Sequence, residues 1–345
     1  MNDPTSSAAT APDAAHWRLC VAPMMDWTDR HCRVFHRLLA PHARLYTEMV
    51  HANAVLRGDR KRLLGFDPAE HPVALQLGGS EPEVLTAAAR IGADLGYDEI
   101  NLNVGCPSDR VQAGRFGACL MREPGLVADC VAAMRAVVPA DVPVTVKCRI
   151  GVDEQDEDET FLGFVDQVAA AGCNVFIVHA RKAWLKGLSP KENREIPPLN
   201  HPRVHRLKRE RPALVVVANG GLATVEAVHG ALAEVDGTML GRAAYHDPWL
   251  LAQLEAALFG TELPTREAVL GRLAPYVAGV IADGGRLHHV VRHLMGLYQG
   301  CHGARAFRRV LTEGAQRPGA DWRVVEAAMA ALRHGLQRRQ PEALV

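Results

Sequence analysis

Eight short apolar runs recur along the chain, each of strand length and bounded by polar, glycine or proline residues. Several are apolar without alternation, which is typical of strands buried on both faces. Segments with apolar residues at helical spacing lie between them, for example 83–95, 127–138 and 161–171. The predicted strands are 20–25, 45–50, 73–78, 99–105, 144–150, 175–180, 215–219 and 237–240.

Alternating strands and helices predict a parallel sheet in an α/β protein. Eight repeats favour a closed (β/α)8 TIM barrel, with an open doubly wound sheet as the second interpretation. No G-x-G-x-x-G follows the first predicted strand, which disfavours a dinucleotide-binding sheet. Beyond residue 260 the strand pattern stops and helices are predicted, for example over 266–280, 286–298 and 324–332. We therefore predict a disordered leader (1–18), a catalytic barrel (19–261) and an all-helical domain (262–345).

Composition narrows the class of protein. The first 16 residues are rich in Ala, Ser, Thr, Pro and Asp and lack the features of a secretory signal. No run of about 18 apolar residues occurs, so we expect no membrane span. The eight cysteines are scattered, without a C-x-x-C pair or zinc spacing, so we expect a cytoplasmic protein without a metal site.

Charge is unevenly distributed along the chain. The total is zero, with 39 basic and 39 acidic residues. From residue 262 to the end there are 12 Arg, no Lys and 7 acidic residues, so this segment carries +5 and the remainder −5. A basic helical module suits binding to an anion such as RNA. The alternative is an ordinary solvated helical surface.

Polar residues stand at the ends of nearly all the predicted strands. Active sites of such barrels lie at the carboxyl ends of the strands, where polar side chains need partners or a ligand. Glycines after strands seven and eight let backbone N–H groups approach a phosphate closely. The set comprises Met24, Asp26, Glu48, Gln76, Asn101, Asn103, Lys147, Arg149, His179, Arg181, Asn219, Gly220, Gly221, Gly241 and Arg242.

Two of these positions have an open chemical interpretation. Lys147 lies in an apolar strand, where its charge needs an anion or a ligand. It could form a Schiff base, as in aldolase-type barrels, or hold negative charge on a reduced flavin ring. His179 could donate to the same ring, although a single histidine often has only a structural role.

The stretch 101–110 reads Asn-Leu-Asn-Val-Gly-Cys-Pro-Ser-Asp-Arg and is the most informative. Its strand ends near Gly105, so Cys106 begins a loop at the barrel mouth. A thiol there is placed to give or take a proton. The loop continues to Cys119, for which core packing is the preferred role. Loops of this length often cover substrates.

Several of these strings resemble the tRNA-dihydrouridine synthases. They are Val21-Ala-Pro-Met-Met-Asp-Trp-Thr-Asp29, Leu75-Gln-Leu-Gly78, the stretch 101–110, Val146-Lys147, His179-Ala-Arg-Lys-Ala-Trp184 and Asn219-Gly-Gly221. The resemblance covers about residues 20 to 315. The segments 179–198 and 304–309 are similar to the A-type bacterial branch.

The resemblance implies a bound FMN, NADPH as reductant, and reduction of D-loop uridines 20 and 20a of tRNA. It implies hydride transfer from the flavin to C6 of a flipped-out uracil and protonation of C5 by Cys106. Membership further implies a helical domain that binds tRNA, which agrees with the +5 segment; we expect a monomer. The implied FMN contacts are Ala22, Pro23, Met24, Gln76, Lys147, His179, Asn219, Gly220, Gly221, Gly241 and Arg242, and the implied tRNA contacts are Asn103, Lys191, Arg194, Arg305 and Arg308.

Three rival hypotheses remain at this point. A flavin barrel similar to dihydroorotate dehydrogenase would act on a free pyrimidine and would not need a basic helical domain. An aldolase-type lyase would use Lys147 as a Schiff base. A tRNA-binding protein without catalysis would bind with steep salt dependence and oxidise no NADPH.

Overall fold

A parallel β-barrel forms the body of the protein. The structure is a computed structural model that describes residues 13–108, 111–112 and 114–337. Its strands are β1 (Leu19–Val21), β2 (Arg44–Tyr46), β3 (Val50–His51), β4 (Val73–Gly78), β5 (Glu99–Val104), β6 (Val144–Arg149), β7 (Val175–His179), β8 (Val215–Asn219) and β9 (Gly237–Leu240).

All strand pairings in the barrel are parallel, and the sheet closes on itself. β1 pairs with β9 and with β2, and β2 pairs with β4, which joins the two ends of the strand order. The strands are buried almost throughout, as their continuous apolar sequences predict. The closed (β/α)8 barrel is therefore confirmed, and the open doubly wound sheet was the wrong alternative.

The second predicted strand, 45–50, is interrupted. Tyr46 pairs with Ala74 and Val50 pairs with Leu77. The chain therefore advances four residues from 46 to 50 while β4 advances three, from 74 to 77. The extra residue is a β-bulge, at which the Gln76 N–H bonds to the Thr47 hydroxyl oxygen at 3.0 Å. The single predicted strand thus consists of β2 and β3, which together occupy one of the eight strand positions of the barrel.

The first predicted strand, 20–25, is also shorter than expected. β1 ends at Val21, and the chain then turns so that the N–H groups of Trp27 and Thr28 bond to the Met24 carbonyl. Pro23 has no N–H for a strand ladder, which favours this early end.

Helices surround the barrel and form the C-terminal region. Side-chain caps begin several of them; Asp29 accepts from Cys32 N and Thr265 from Ala268 N. The helices are α1 (Arg30–Leu39), α2 (Ala52–Arg57), α3 (Arg60–Leu64), α4 (Pro82–Asp94), α5 (Pro124–Arg135), α6 (Asp158–Ala170), α7 (His201–Glu210), α8 (Val225–Leu232), α9 (Arg242–His246), α10 (Trp249–Phe259), α11 (Arg266–Ala282), α12 (Leu287–Val291), α13 (Ala304–Ala315) and α14 (Arg323–Gln337), with 3-10 turns at Ala14–Trp17, Pro68–Glu70, Gly117–Arg122, Glu192–Arg194 and Arg292–Leu294.

Part of the predicted leader is folded. Ala14–Trp17 form a 3-10 turn, and the indole of Trp17 is buried at the floor of the barrel, where it donates to Glu99 at 2.9 Å. The expected disorder through residue 18 was therefore wrong for residues 14–18, because a large aromatic side chain anchors them. Residues 1–12 lie outside the described residues.

The C-terminal region is helical, as predicted, and it packs against the barrel layer. Phe35 of α1 shares one hydrophobic core with Leu270 and Leu273 of α11 and with Val290 of α12. The expected continuous helix 286–298 is wrong: α12 ends at Val291, and after a 3-10 turn the chain passes close to α9. Residues on both sides of the predicted boundary at 262 thus share one core, and the boundary itself stays a prediction. Within the described residues no helix is long and apolar enough to cross a bilayer.

Candidate active site at the barrel mouth

The predicted site residues stand at the carboxyl ends of the strands, on one rim of the barrel. Lys147 is in β6, His179 ends β7, and Asn219 ends β8. Gly241 follows β9, and a Cβ placed on it would lie 3.8 Å from Ala22 Cβ and 3.9 Å from Met24 Sδ. The loop after β1, which also carries Pro23, therefore lies beside the end of β9.

Cys106 follows β5 on a backbone that is held from several sides. Its N–H and that of Gly105 both donate to Asn103 Oδ1, at 3.0 and 3.1 Å. Its carbonyl accepts from Ala118 N at 2.9 Å. The half-buried thiol lies 3.6 Å from the Ser108 hydroxyl. A proton donor with a neighbouring hydroxyl therefore stands at the mouth. Asp109 and Arg110, the end of the motif, lie outside the described residues.

Cationic side chains gather around this thiol. The Arg149 guanidinium is almost fully buried and donates to the carbonyls of Gly105 and Asn193, at 3.1 and 2.9 Å. Burial lowers the pKa of Arg149 to about 10, so it stays protonated at neutral pH. Burial, reinforced by the charges of Arg149 and Lys147, lowers the pKa of His179 well below its usual range. His179 is thus a neutral imidazole within a positively charged rim.

Lys147 and His179 have few partners within the protein. The Lys147 ammonium donates to Asn219 Oδ1 at 3.1 Å, while Asn219 Nδ2 donates to the Met239 carbonyl at 2.7 Å. Burial and the charge of Arg149 lower the pKa of Lys147 to about 8. His179 Nδ1 is buried and has no hydrogen-bond partner among the described residues. A buried polar atom of this kind needs a hydrogen-bond partner from water or from a ligand.

The two glycines after β8 adopt backbone conformations that other residues avoid. Gly220 has φ 109° and Gly221 has φ 73°. A Cβ on Gly220 would lie 3.1 Å from His179 Nε2, and one on Gly221 would lie 2.5 Å from Leu199 Cδ1. Glycine is therefore required at both positions. Arg242, the first residue of α9, pairs with Glu195 at 2.5 Å and donates to the Arg194 carbonyl at 3.2 Å.

Gln76 and Asn103 are hydrogen-bonded to each other inside the barrel. Asn103 Nδ2 donates to Gln76 Oε1 at 2.9 Å, and Gln76 Nε2 donates to Asn101 Oδ1 at 2.7 Å. Gln76 is 1% exposed and Asn103 is 8% exposed. Most of the hydrogen-bonding capacity of both amides is thus used within the protein. The Asn103 Nδ2 group keeps one hydrogen that could meet a ligand.

The residues predicted to contact tRNA are not gathered in one place. Lys191 and Arg194 are exposed on the loop between β7 and α7. On α13, Arg305 is exposed and Arg308 is half-buried. No ion pair or side-chain hydrogen bond among residues 13–108, 111–112 and 114–337 joins the α13 arginines to the barrel mouth.

Sequence comparison identifies the family. The family model described as "Dihydrouridine synthase (Dus)" matches residues 20–333. The chain belongs to the dihydrouridine synthase family.

Relatives named tRNA-dihydrouridine(20/20a) synthase match this member of the family over nearly their whole length. The protein of Xanthomonas campestris is 66% identical over 311 residues, which cover 90% of this chain and 92% of the relative. The protein of Vibrio cholerae is 54% identical over 318 residues, with 91% and 96% covered. This dihydrouridine synthase is therefore an enzyme, and the hypothesis of a binding protein without catalysis was wrong.

A solved structure shares the fold of this dihydrouridine synthase. It is a complex of 2-naphthoyl-CoA reductase with 2-naphthoyl-CoA, with a TM-score of 0.56 at 11% identity. The match covers 70% of this chain and 50% of the other. At that identity the likeness shows the fold alone.

Three polar residues of this dihydrouridine synthase received no role from the sequence. Arg149 stood among the polar strand residues, yet its contacts to the Cys106 loop were not foreseen. Glu99 and Thr145 are fully buried in neighbouring strands and hydrogen-bonded to each other. Arg149 and Glu99 could have been found from the sequence, because each is an ionisable side chain within an apolar strand. Thr145 could not, because threonine is common in strands.

Proposed function

We propose that this dihydrouridine synthase reduces uridine to 5,6-dihydrouridine in the D-loop of tRNA, at positions 20 and 20a, with FMN as cofactor and NADPH as reductant. One observation carries the proposal: a loop-borne thiol, Cys106, stands at the same barrel mouth as Lys147, whose ammonium bonds to Asn219, and His179, whose buried Nδ1 has no partner among the described residues. Reduction of a carbon–carbon double bond adds a hydride and a proton, so it needs a proton donor and a site for a hydride-donating ring. The names of the relatives support tRNA as the substrate.

The residues at the mouth fit a flavin mononucleotide. The unpartnered His179 Nδ1 and the Lys147 ammonium offer polar contacts to an electron-rich ring. Gly220 and Gly221 keep their backbone open beside these side chains, and Arg242 can share its guanidinium between Glu195 and a phosphate. Ala22, Pro23, Met24, Gln76, Asn219 and Gly241 complete the proposed FMN contacts. When bound, FMN supplies the hydride, taken from NADPH, that reaches C6 of the uracil.

Cys106 supplies the proton that C5 of the uracil needs. Arg149 and Asn103 hold the backbone just before the thiol, and the Ala118 N–H holds the Cys106 carbonyl after it, so the position of the thiol depends little on loop motion. Ser108 lies close enough to pass a proton back to the sulfur. Lys147 offsets negative charge that develops in the site. Asn103 retains only a donor, so it suits a carbonyl oxygen of the uracil.

The exposed arginines and lysine can hold the RNA backbone. Lys191 and Arg194 lie on the loop between β7 and α7, and Arg305 and Arg308 lie on α13 of the C-terminal region. Phosphate contacts of this kind position a nucleic acid without reading its sequence. We propose these four residues, with Asn103, as tRNA contacts. The A-form stem adjoining the D-loop would meet the helices, and a flipped base would enter the barrel.

The decisive experiment measures mass gain on tRNA that lacks dihydrouridine, incubated with the protein, FMN and NADPH. A gain of two hydrogens, mapped to positions 20 and 20a, is the expected result. Gain at other positions only would contradict the site assignment. Reduction of free uridine or orotate at the same rate would instead support the rival enzyme acting on free pyrimidines.

The same assay tests the proton donor. Cys106→Ala should keep its flavin absorbance and lose at least about a hundredfold in turnover, the usual contribution of a general acid. Cys301→Ala is the matched control, because that half-buried cysteine lies in the C-terminal region. A Cys106→Ala enzyme that turns over at the rate of Cys301→Ala would rule out the assigned role.

A further inference from the structure

A file of hydrogen-bonded side chains runs through the interior of the barrel from its floor to the Cys106 loop. Its members belong to three neighbouring strands, and each is at least nine-tenths buried. Each makes a hydrogen bond to the next, at 2.5 to 2.9 Å. From floor to mouth they are Glu99, Thr145, Asn101, Gln76 and Asn103.

The carboxylate of Glu99 closes the file at the floor. It accepts from the Trp17 indole at 2.9 Å, from the Arg44 guanidinium at 3.3 Å and from the Tyr46 hydroxyl at 2.8 Å. It also accepts from the Thr145 hydroxyl. A carboxylate offers acceptors and no donors. The Thr145 hydrogen must therefore point toward the floor.

This constraint fixes the direction of every bond above it. Because Thr145 donates downward, its oxygen accepts from Asn101 Nδ2 at 2.7 Å. Asn101 then turns its Oδ1 to Gln76 Nε2, which leaves Gln76 Oε1 to accept from the next amide. Reversing any single amide would set two donors or two acceptors against each other.

The last amide transfers this direction to the active-site loop. Asn103 must use Nδ2 toward Gln76, so its Oδ1 faces the backbone N–H groups of Gly105 and Cys106. Those two N–H groups can be satisfied only by an acceptor. The orientation of an amide at the mouth thus depends on a carboxylate at the opposite end of the barrel.

We propose that Glu99 and Thr145 are positioning residues for the reaction: through Asn101, Gln76 and Asn103 they hold the Cys106 loop in its productive place. This inference rests on the proposed role of Cys106. Neither residue touches the substrate. We expect their largest effect on uridine reduction, the step that needs the thiol, since a misplacement of about 1 Å can slow a reaction about a hundredfold.

Thr145→Val breaks the file and keeps the shape of the side chain, whereas Thr145→Ser retains the hydroxyl. We expect Thr145→Val to lose tenfold to a hundredfold in single-turnover uridine reduction, at unchanged tRNA affinity. Reduction of bound flavin by NADPH, at saturating FMN, should change less than about threefold, because it does not involve the thiol. Thr145→Ser should restore most of the lost rate.

A second valine substitution provides the matched control. Thr238 is equally buried at the barrel floor, and its hydroxyl donates to the Arg18 carbonyl at 3.0 Å, outside the file. Thr238→Val loses a comparable hydrogen bond and should keep its uridine-reduction rate. Equal losses in Thr145→Val and Thr238→Val would overturn the proposal, because both would then report only general destabilisation.

Glu99→Gln tests the direction of the file and serves if Thr145→Val does not fold. The Trp17 and Arg44 donors would hold the glutamine oxygen, so its NH2 would face Thr145. The Thr145 hydrogen would then lose its acceptor at the floor and turn to Asn101, which reverses the bonds above. Asn103 would then present hydrogens to the Gly105 and Cys106 amides. Faster hydrogen exchange of those two amides, with slower uridine reduction, is the expected result; unchanged exchange and rate would overturn the proposal.

Amide exchange also separates this inference from the assignment of the acid. It reports the position of the loop whether or not Cys106 donates a proton. Altered exchange in Thr145→Val together with a fully active Cys106→Ala enzyme would refute the acid and the catalytic part of this proposal. Unaltered exchange in Thr145→Val together with an inactive Cys106→Ala enzyme would support Cys106 as the acid. It would refute the proposal that the file holds the Cys106 loop in place.

Discussion

Replacing Lys147 with methionine should make the flavin-free protein more stable. The ammonium lies inside the barrel and, among the described residues, makes one hydrogen bond, to Asn219. Burial and the neighbouring Arg149 charge lower its pKa from 10.5 to about 8. A difference of that size between the unfolded and folded chains corresponds to about 3 kcal/mol of destabilisation at pH 7. Losing the hydrogen bond offsets about 1 kcal/mol, so the net gain should be about 2 kcal/mol.

The pH dependence of this gain gives a sharper test than its size. Between pH 8 and 10.5 the unfolded chain retains the Lys147 proton while the folded chain has released it. The destabilisation is complete below pH 8 and disappears as the pH rises through this window. The advantage of Lys147→Met should therefore fall by about 2 kcal/mol between pH 7 and pH 9.5.

Urea unfolding of the flavin-free protein at the two pH values measures both quantities. Lys61→Met on α3 is the control, since Lys61 is exposed and should change stability by less than about 0.5 kcal/mol. Flavin binding should weaken in Lys147→Met, as a ligand contact is lost. A Lys147→Met protein no more stable than wild type, or a gain that is the same at both pH values, would refute the argument that this lysine is kept for a ligand.

Three further predictions concern the mouth and the helical region. Gly220→Ala should weaken flavin binding in a titration and lower the free energy of unfolding by about 1–3 kcal/mol, because alanine is strained at a φ of 109°. Gly230→Ala is the control, since a Cβ there meets nothing within 4 Å, and it should change neither flavin binding nor stability. Burial lowers the pKa of His36 to about 3, so on acidification the unfolded chain takes up a proton that the folded chain refuses. From pH 7.5 to 5 the wild type should lose about 2 kcal/mol more stability in urea than His36→Leu, and parallel losses would contradict the burial argument. Asp29→Asn keeps the cap of α1 but loses the carboxylate that pairs with Arg292 and contacts the buried His293, both of the C-terminal region, so the free energy of unfolding should fall by about 2–3 kcal/mol. Asp321→Asn, whose pair is exposed, should show no change. Equal effects of the two substitutions would contradict a stabilising contact between the regions.

The fold could be predicted because the strands are short, largely apolar runs that alternate with helical patterns. Strands such as Val215–Asn219 and Gly237–Leu240 match their predicted bounds. The bulge between β2 and β3 could not be foreseen, because it depends on the register against β4. Trp17 was placed in a leader since the polar residues before it dominate the local composition. Its anchoring partner, Glu99, is 82 residues away in the chain.

The candidate site was predicted only as a set of polar residues pointing to one rim. Sequence reasoning treats Gln76, Asn103, Lys147 and His179 alike, because each is a polar side chain in an apolar strand. Their partners separate them. The two amides satisfy each other within the barrel, whereas Nδ1 of His179 has no partner among the described residues and Lys147 has one.

This difference divides the barrel into two functional sides. On β4 to β6 the buried polar groups are satisfied by the protein, so their expected contribution is to hold the Cys106 loop in place. On β6 to β8 polar groups are left for a ligand, beside Gly220, a glycine that no other residue could replace without strain. Cys106 follows β5 and the ligand-binding groups stand on β6 to β8, so the proton donor and these groups share one rim of the barrel. The same division explains why removing Lys147 should stabilise the flavin-free protein, whereas breaking the file at Thr145 should not.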